Sequence, residues 1–363
     1  MSALFPSRTV SLYMGRMFLA RTFGILAGLV LVLQALDLLS ESGRILAVSG
    51  NGDAEVWRYV SLRAPQIVSR FLPFSVLLGT ILTLITMNQN SEVVALKASG
   101  LSAHQVLAPL IVASIGVAIV SFAFNDRIVT RATATLDQWE KVDYGPVPAN
   151  RGDHANVWIR SGEDLLEVDK ITGHGRAVRL HGVALYGRDR GVLRSIVTAP
   201  AGHYAGGGWQ IGPAKEFDVA TGKVSVRPAM VIARGVAPAQ LTLSAVEADE
   251  MSFGALKAAI DDLAAAGRPT KSLEGALWHK LSSPLSAVLM PLLGAVAAFG
   301  IARSGKLFVR AVIGMALGFA YFVADSFALA MGNLGAYPPF LAAWAPFLLF
   351  LFIGETVLMR TEE

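Results

Sequence analysis

Cysteine is absent from all 363 residues. That excludes a disulfide scaffold, a thiol nucleophile and a thiolate metal site. Charge is scarce: 16% of residues are charged and 53% are hydrophobic, against about 25% and 45–50% in an ordinary soluble domain. Signature loops are missing too. There is no Gly-x-x-x-x-Gly-Lys-Ser/Thr, because Gly222-Lys223 and Gly305-Lys306 are each followed by an apolar residue. No Gly-x-Ser-x-Gly elbow, His-Glu-x-x-His pair or EF-hand loop is present. The chain therefore has no P-loop to cradle nucleotide phosphates and no familiar hydrolytic site. The spacing of His174, His181 and His203 fits no metal site. The net charge of +4 is not gathered into a basic stripe with interleaved aromatics, so nucleic acid is not an expected partner. No cofactor is expected in this chain.

What charge there is lies unevenly. Residues 126–270 hold 17 Lys/Arg and 17 Asp/Glu, leaving 24 charges for the other 218 residues. The pattern is a neutral, water-soluble insert inside a membrane protein. Six apolar runs surround it, at residues 22–39, 71–87, 105–124, 281–302, 311–332 and 340–358. Each approaches the length of about 20 residues that crosses the hydrocarbon core. The expected fold is an α-helical integral membrane protein, six transmembrane helices arranged 3+3. Arg8, Arg16 and Arg21 precede the first run, and Arg303, Lys306 and Arg310 separate the fourth from the fifth. Basic short loops stay in the cytoplasm, which places both termini inside and the insert outside.

The insert reads as β-structure. Residues 156–159, 164–170, 177–186, 192–198 and 223–232 are rich in Val, Ile, Leu and Tyr, and Gly, Asp and Pro separate them. Regular short strands indicate an antiparallel sandwich or jelly roll. The division expected is 1–124 for the first three spans, 125–250 for the β domain, 251–272 for an amphipathic connector capped by Ser252, and 273–363 for the last three spans.

Polar groups inside apolar runs are costly and usually face an interior. Asp325 lies mid-span, with Asp37 and Glu355 nearer the span ends. A proton relay and a hydrogen bond to a neighbouring helix are both open for Asp325; snorkelling is open for Asp37. Gly24-x-x-x-Gly28 and Gly314-x-x-x-Gly318 permit close helix approach, within the chain or to a partner. Arg63 and Arg70, two turns apart, share a face at the outer entrance of the second span.

Between the second and third runs stands Ser91-Glu92-Val93-Val94-Ala95-Leu96-Lys97-Ala98-Ser99-Gly100. Ser91 suits an N-cap, Glu92 the positive helix end and Gly100 the left-handed C′ position. A two-turn cytoplasmic helix results, at about 90–99, with Val93 and Leu96 on one face. It either plugs a partner's groove or lies on the headgroups.

This loop, with Phe71-Leu72-Pro73 and Leu77-Leu78-Gly79 before it and Gly335-Ala336-Tyr337-Pro338-Pro339 near the end, resembles the lipopolysaccharide export permeases, the LptF/LptG family. The last segment is more similar to the LptG branch. The resemblance implies a non-catalytic permease subunit of an ATP-binding cassette exporter in the bacterial inner membrane, carrying lipopolysaccharide towards the outer membrane. It implies a paralogous LptF partner, a cytoplasmic LptB dimer that binds ATP and Mg, and LptC with its transmembrane helix. The insert becomes a periplasmic β-jelly-roll domain. The short loop becomes a coupling helix whose ATPase contacts are Ser91, Glu92, Val93, Leu96 and Lys97. Arg63 and Arg70 become contacts for lipopolysaccharide phosphate or sugar acid, and Phe71, Phe74 and Leu78 line its acyl cavity. Two other readings stand beside this one: a proton-coupled secondary transporter using Asp325, Glu355 and Asp37, and a membrane-tethered periplasmic scaffold.

Overall fold

The computed structural model describes residues 6–146, 154–172, 178–189, 191–236, 247–265, 268–299 and 307–360. The chain divides into two compact units, one built from residues 1–147, 248–257 and 271–363, the other from 148–247 and 258–270. The expected boundary at 125 therefore moves: residues 125–147 belong to the helical unit. The reason is covalent continuity. Helix α4 (Ala103–Phe124) runs through a π-turn (Asn125–Val129) into α5 (Thr130–Glu140) without a break.

In the helical unit, α1 (Arg8–Ala47) has 40 residues and α2 (Asp53–Gln89) has 37. At 1.5 Å per residue both exceed the hydrocarbon thickness of about 30 Å, so their ends extend beyond it. Ser7 starts α1 by accepting the Val10 N–H. Glu55 starts α2 by accepting the Gly52 N–H at 2.9 Å. Ser102 and Gln105 start α4 through a reciprocal capping box. The short helix α3 (Glu92–Ala98) lies between α2 and α4. After the β unit come α6 (Phe253–Ala265), α7 (Lys271–Phe299), α8 (Leu307–Asn333) and α9 (Pro339–Arg360).

Among the described residues, five helices are long and apolar enough to cross a membrane: α1, α2, α4 with α5, α8 and α9. Helix α7 carries most of the fourth apolar run, but its first half holds Lys271, Glu274, His279 and Lys280, and it is not among the five. The segment with Arg303 and Lys306 lies outside the described residues.

Met14, Phe18, Val76, Leu77, Leu84, Leu107 and Leu293 are among the most deeply buried side chains of the helical core. Close approach is built in at two glycines. A Cβ at Gly79 would stand 3.0 Å from the Thr22 backbone, and one at Gly318 would collide with the Leu77 side chain. Gly318 of the Gly314-x-x-x-Gly318 motif therefore serves packing within the chain. Gly24 and Gly28 face open space.

A second, smaller core joins the C-terminal ends of α1 and α5 to the N-terminal end of α2. Ile45, Tyr59, Leu136, Trp139 and Tyr144 are all buried there. Arg58 stacks over Trp139 at 4.6 Å, a cation–π contact. Asn51 donates to the carbonyls of Ile45 and Tyr144, both at 2.9 Å. Burial and a hydrogen bond to Glu41 push the Tyr144 phenol above its ordinary range.

The other unit holds one eight-stranded sheet, entirely antiparallel: β1 (His154–Ser161), β2 (Asp164–Thr172), β3 (Arg179–Asp189), β4 (Val192–Ala205), β5 (Gly208–Ile211), β6 (Ala214–Asp218), β7 (Val224–Arg227) and β8 (Met230–Ile232). The first four strands are joined as successive hairpins, and β8 pairs β5. β4 gives the first part of one edge to β6 and the second part to β5. Register places apolar residues on one face: Val157 opposite Val168, Val168 opposite Val183, Val183 opposite Ala199. All four are buried, the period-two pattern of a half-buried sheet. Trp209 is fully buried and donates its indole N–H to the Val236 carbonyl at 2.8 Å. The cleanly alternating Val224 and Val226 do form a strand, paired with β6 among the described residues, but both remain exposed.

Candidate functional site

Two places in the helical unit gather the polar groups of interest. The first is α3. Glu92 is in its first turn, where it complements the helix dipole. Its carboxylate accepts from Tyr13 at 3.3 Å and from Asn90 at 3.2 Å. The helix ends as expected. Gly100 has φ +89°, its N–H bonds the Lys97 carbonyl at 3.0 Å, and the Leu101 N–H bonds the Leu96 carbonyl at 3.2 Å. This is a Schellman closure, and Leu96 and Leu101 both pack on the helical core.

Two expectations for α3 need correction. Ser91 does not cap the helix with its side chain; it adopts the left-handed conformation at φ 59° with no cap bond. Val93 does not face outward. It is 4% exposed and belongs to the helical core. Helical period explains this, since Val93 and Leu96 share the face that seals α3 against α2 and α4. The outward face instead carries Val94, Ala95, Lys97 and Ala98, with Val94 60% exposed.

The second place is a polar network leading to a cavity. Asp37 of α1 accepts from Tyr59 Oη at 2.6 Å and from Arg63 Nε and Nη2 at 3.1 and 3.2 Å. Arg63 also donates to Gln66 at 2.7 Å, and Gln66 donates to Thr133 at 3.1 Å. Asp37 therefore does not snorkel alone, and the positive charge of Arg63 is matched within the chain.

Beyond Gln66 lies a cavity of about 530 Å³. Helix α2 lines it with Ser69, Arg70, Pro73 and Phe74; α7 with His279, Lys280 and Ser283; α8 with Tyr321, Phe322 and Asp325. The π-turn contributes Asn125 and Asp126. Asn125 accepts the Ser69 hydroxyl proton. Asp126 accepts the Phe253 N–H and so helps Ser252 to cap α6. The His279 and Asp325 side chains meet at 2.9 Å, tying α7 to α8. Glu355 meets His104 at 3.0 Å.

Of the expected lipid contacts, Arg70 and Phe74 line the cavity. Arg63 is held by Asp37, Phe71 packs on the helical core beside Phe74 with ring centroids 6.3 Å apart, and Leu78 is half-buried in α2. Lys280 and His279 were missed. They sit at the polar start of α7, and an exposed Trp278 beside them is the signal that marks the level. Among the described residues, no group of acids and histidines is placed to hold a metal ion.

A sequence model of the lipopolysaccharide export system permeases LptF/LptG matches residues 12–360, nearly the whole chain. The chain belongs to the LptF/LptG family. Lipopolysaccharide export system permease protein LptG of Escherichia coli (strain K12) is 24% identical over 347 residues, covering 93% of this chain and 94% of that protein. The protein of the same name in Haemophilus influenzae is 21% identical over 365 residues, covering 98% and 99%. Membership makes this chain a permease subunit rather than an enzyme. Its apolar helices are those of an inner-membrane protein of the LptF/LptG family.

Proposed function

We propose that this chain is the LptG-type half of an ATP-binding cassette exporter that takes lipopolysaccharide from the inner membrane towards the outer membrane. An LptF-type paralogue completes the transmembrane part, an LptB dimer supplies ATP hydrolysis, and LptC receives the lipid. On this reading α7 is the fourth of six spans, both termini are cytoplasmic, and the β unit is a periplasmic jelly roll. Supporting it are the family match and the geometry of α3. A short helix whose inner face is fused to the transmembrane core and whose outer face is apolar transmits a push rigidly.

The contact residues follow from exposure. Val94, Ala95, Ala98 and Lys97 meet the ATPase, while Val93 and Leu96 anchor the helix from behind. Glu92, half-buried and bonded to Tyr13 and Asn90, orients the helix start. Val94→Asp should lose the ATPase on co-purification with an unchanged melting temperature. Retention of the ATPase by Val94→Asp would refute this assignment.

A further inference from the structure

The lining of the 530 Å³ cavity carries unmatched charge of both signs. Asp325 is bound by His279, and Asp126 by the N-terminus of α6. Arg70 and Lys280 have neither a side-chain hydrogen bond nor a salt bridge among the described residues, and the same holds for the carboxylates of Asp137 and Asp249. Two cations and two anions thus border one cavity. Asp249 and Asp126 act on Lys280 through space without a salt bridge to it. Phe74, one helical turn from Arg70 on α2, and Phe322 of α8 give the lining an apolar part, their ring centroids 5.5 Å apart. Trp278, 38% exposed and two residues from Lys280, sets this level at the membrane–water interface, where tryptophan collects.

We propose that the cavity binds one zwitterionic phospholipid of the surrounding bilayer, with a phosphate and a primary ammonium in its headgroup, as a resident lipid and not as cargo. The phosphate sits between Arg70 and Lys280. The ammonium sits by Asp137 and Asp249, and the start of an acyl chain lies along Phe74 and Phe322. A purely anionic headgroup leaves both carboxylates unmatched and adds repulsion. A purely cationic one does the same to Arg70 and Lys280. Only a headgroup of both signs meets all four; Arg70 and Asp249 are exposed at the mouth, while Lys280 and Asp137 are half-buried, where a charge without a partner is costly. The volume lies in the range of sites for a small group, about 300–1,000 Å³. It suits a headgroup and the chain beginning, not a whole multi-chain lipid. The inference requires the helical unit to be in a bilayer and does not depend on what the chain exports.

The test is native mass spectrometry of the purified complex, titrated with phosphatidylethanolamine, phosphatidylglycerol or lipopolysaccharide of matched chain length. Wild type should retain phosphatidylethanolamine about tenfold better than phosphatidylglycerol, the ratio for the loss of one charge-assisted contact. Lys280→Gln and Arg70→Gln should each reduce that retention about tenfold. Asp249→Asn, at an exposed site, should shift preference towards phosphatidylglycerol while the fold is kept. Equal or better binding of phosphatidylglycerol by wild type would overturn the proposal. So would unchanged retention in both cation variants, or displacement of the resident phospholipid by stoichiometric lipopolysaccharide. ATPase co-purification, read on the same samples, reports the exporter assignment separately.

Discussion

Asp37 should be a stability residue, and Arg63 should share its fate. The Asp37 carboxylate takes one hydrogen bond from Tyr59 and two from Arg63. Asp37→Ala removes all three and leaves a guanidinium without its counter-charge. Breaking a fully buried pair in this way costs about 3–5 kcal/mol, whereas an exposed pair is worth about 0–1 kcal/mol. Here the side chains of Arg63 and Asp37 are 35% and 22% exposed, so neither limit applies. A value of about 2 kcal/mol follows, in the range for hydrogen bonds to a charged group. The assay is a double-mutant cycle of Asp37→Asn and Arg63→Gln, read as unfolding free energy in a mixed-detergent titration. The coupling should be about 1–2 kcal/mol, with the double variant losing less than the two single losses combined. Additivity within about 0.5 kcal/mol would refute the pairing. Arg63 would then be available to a lipid, as its place beside Arg70 on α2 first implies.

Gly79→Val should lower the melting temperature and cost about 1–3 kcal/mol, because the new Cβ collides with the Thr22 hydroxyl and stands 3.0 Å from the Thr22 backbone behind it; an unchanged melt would show that α1 and α2 do not approach this closely. Trp209→Phe should loosen the β unit by about 1–3 kcal/mol, since it strands the buried carbonyl of Val236, and faster hydrogen exchange confined to the sheet would report it. The Asp218 carboxyl is held below its ordinary pKa because the Thr221 backbone N–H and hydroxyl donate to it. A depressed folded-state pKa stabilises above the unfolded value and is lost as pH falls through the folded one. The turn after β6 should therefore hold at neutral pH and loosen as pH falls through that lowered value, as amide exchange at Thr221 would show.

Much of the helical unit was legible from local pattern. Apolar runs and charge density marked membrane helices, since length and hydropathy are properties of a segment. The stop of α3 at Gly100 was legible because a left-handed C′ position is a local demand for glycine. Its orientation was not: Val93 and Val94 are equally apolar, and only the packing of α3 on α2 and α4 chooses which is covered. The β unit was legible as strands from alternation, yet alternation at Val224 and Val226 says nothing of whether another layer covers them.

The Asp37–Arg63 pair shows what was present but unread. Both residues lie thirteen positions from Gly50, in the turn joining α1 and α2. Two antiparallel helices bring positions equidistant from their turn to the same depth. The spacing was in the sequence, but contact also requires both side chains to face the common seam.

By itself the sequence determined the class of this protein: a greasy helical chain interrupted by a neutral β insert, without a motor of its own, carrying the loop of a permease family. Those properties are sums and periods over short segments. The tertiary structure alone decided which polar groups are satisfied. It joined Asp37 to Arg63 and His279 to Asp325, turned Val93 inward, and left Arg70 and Lys280 facing one cavity. Such pairings depend on helix rotation and depth, which close contacts such as Gly79 on Thr22 set. No single segment encodes them.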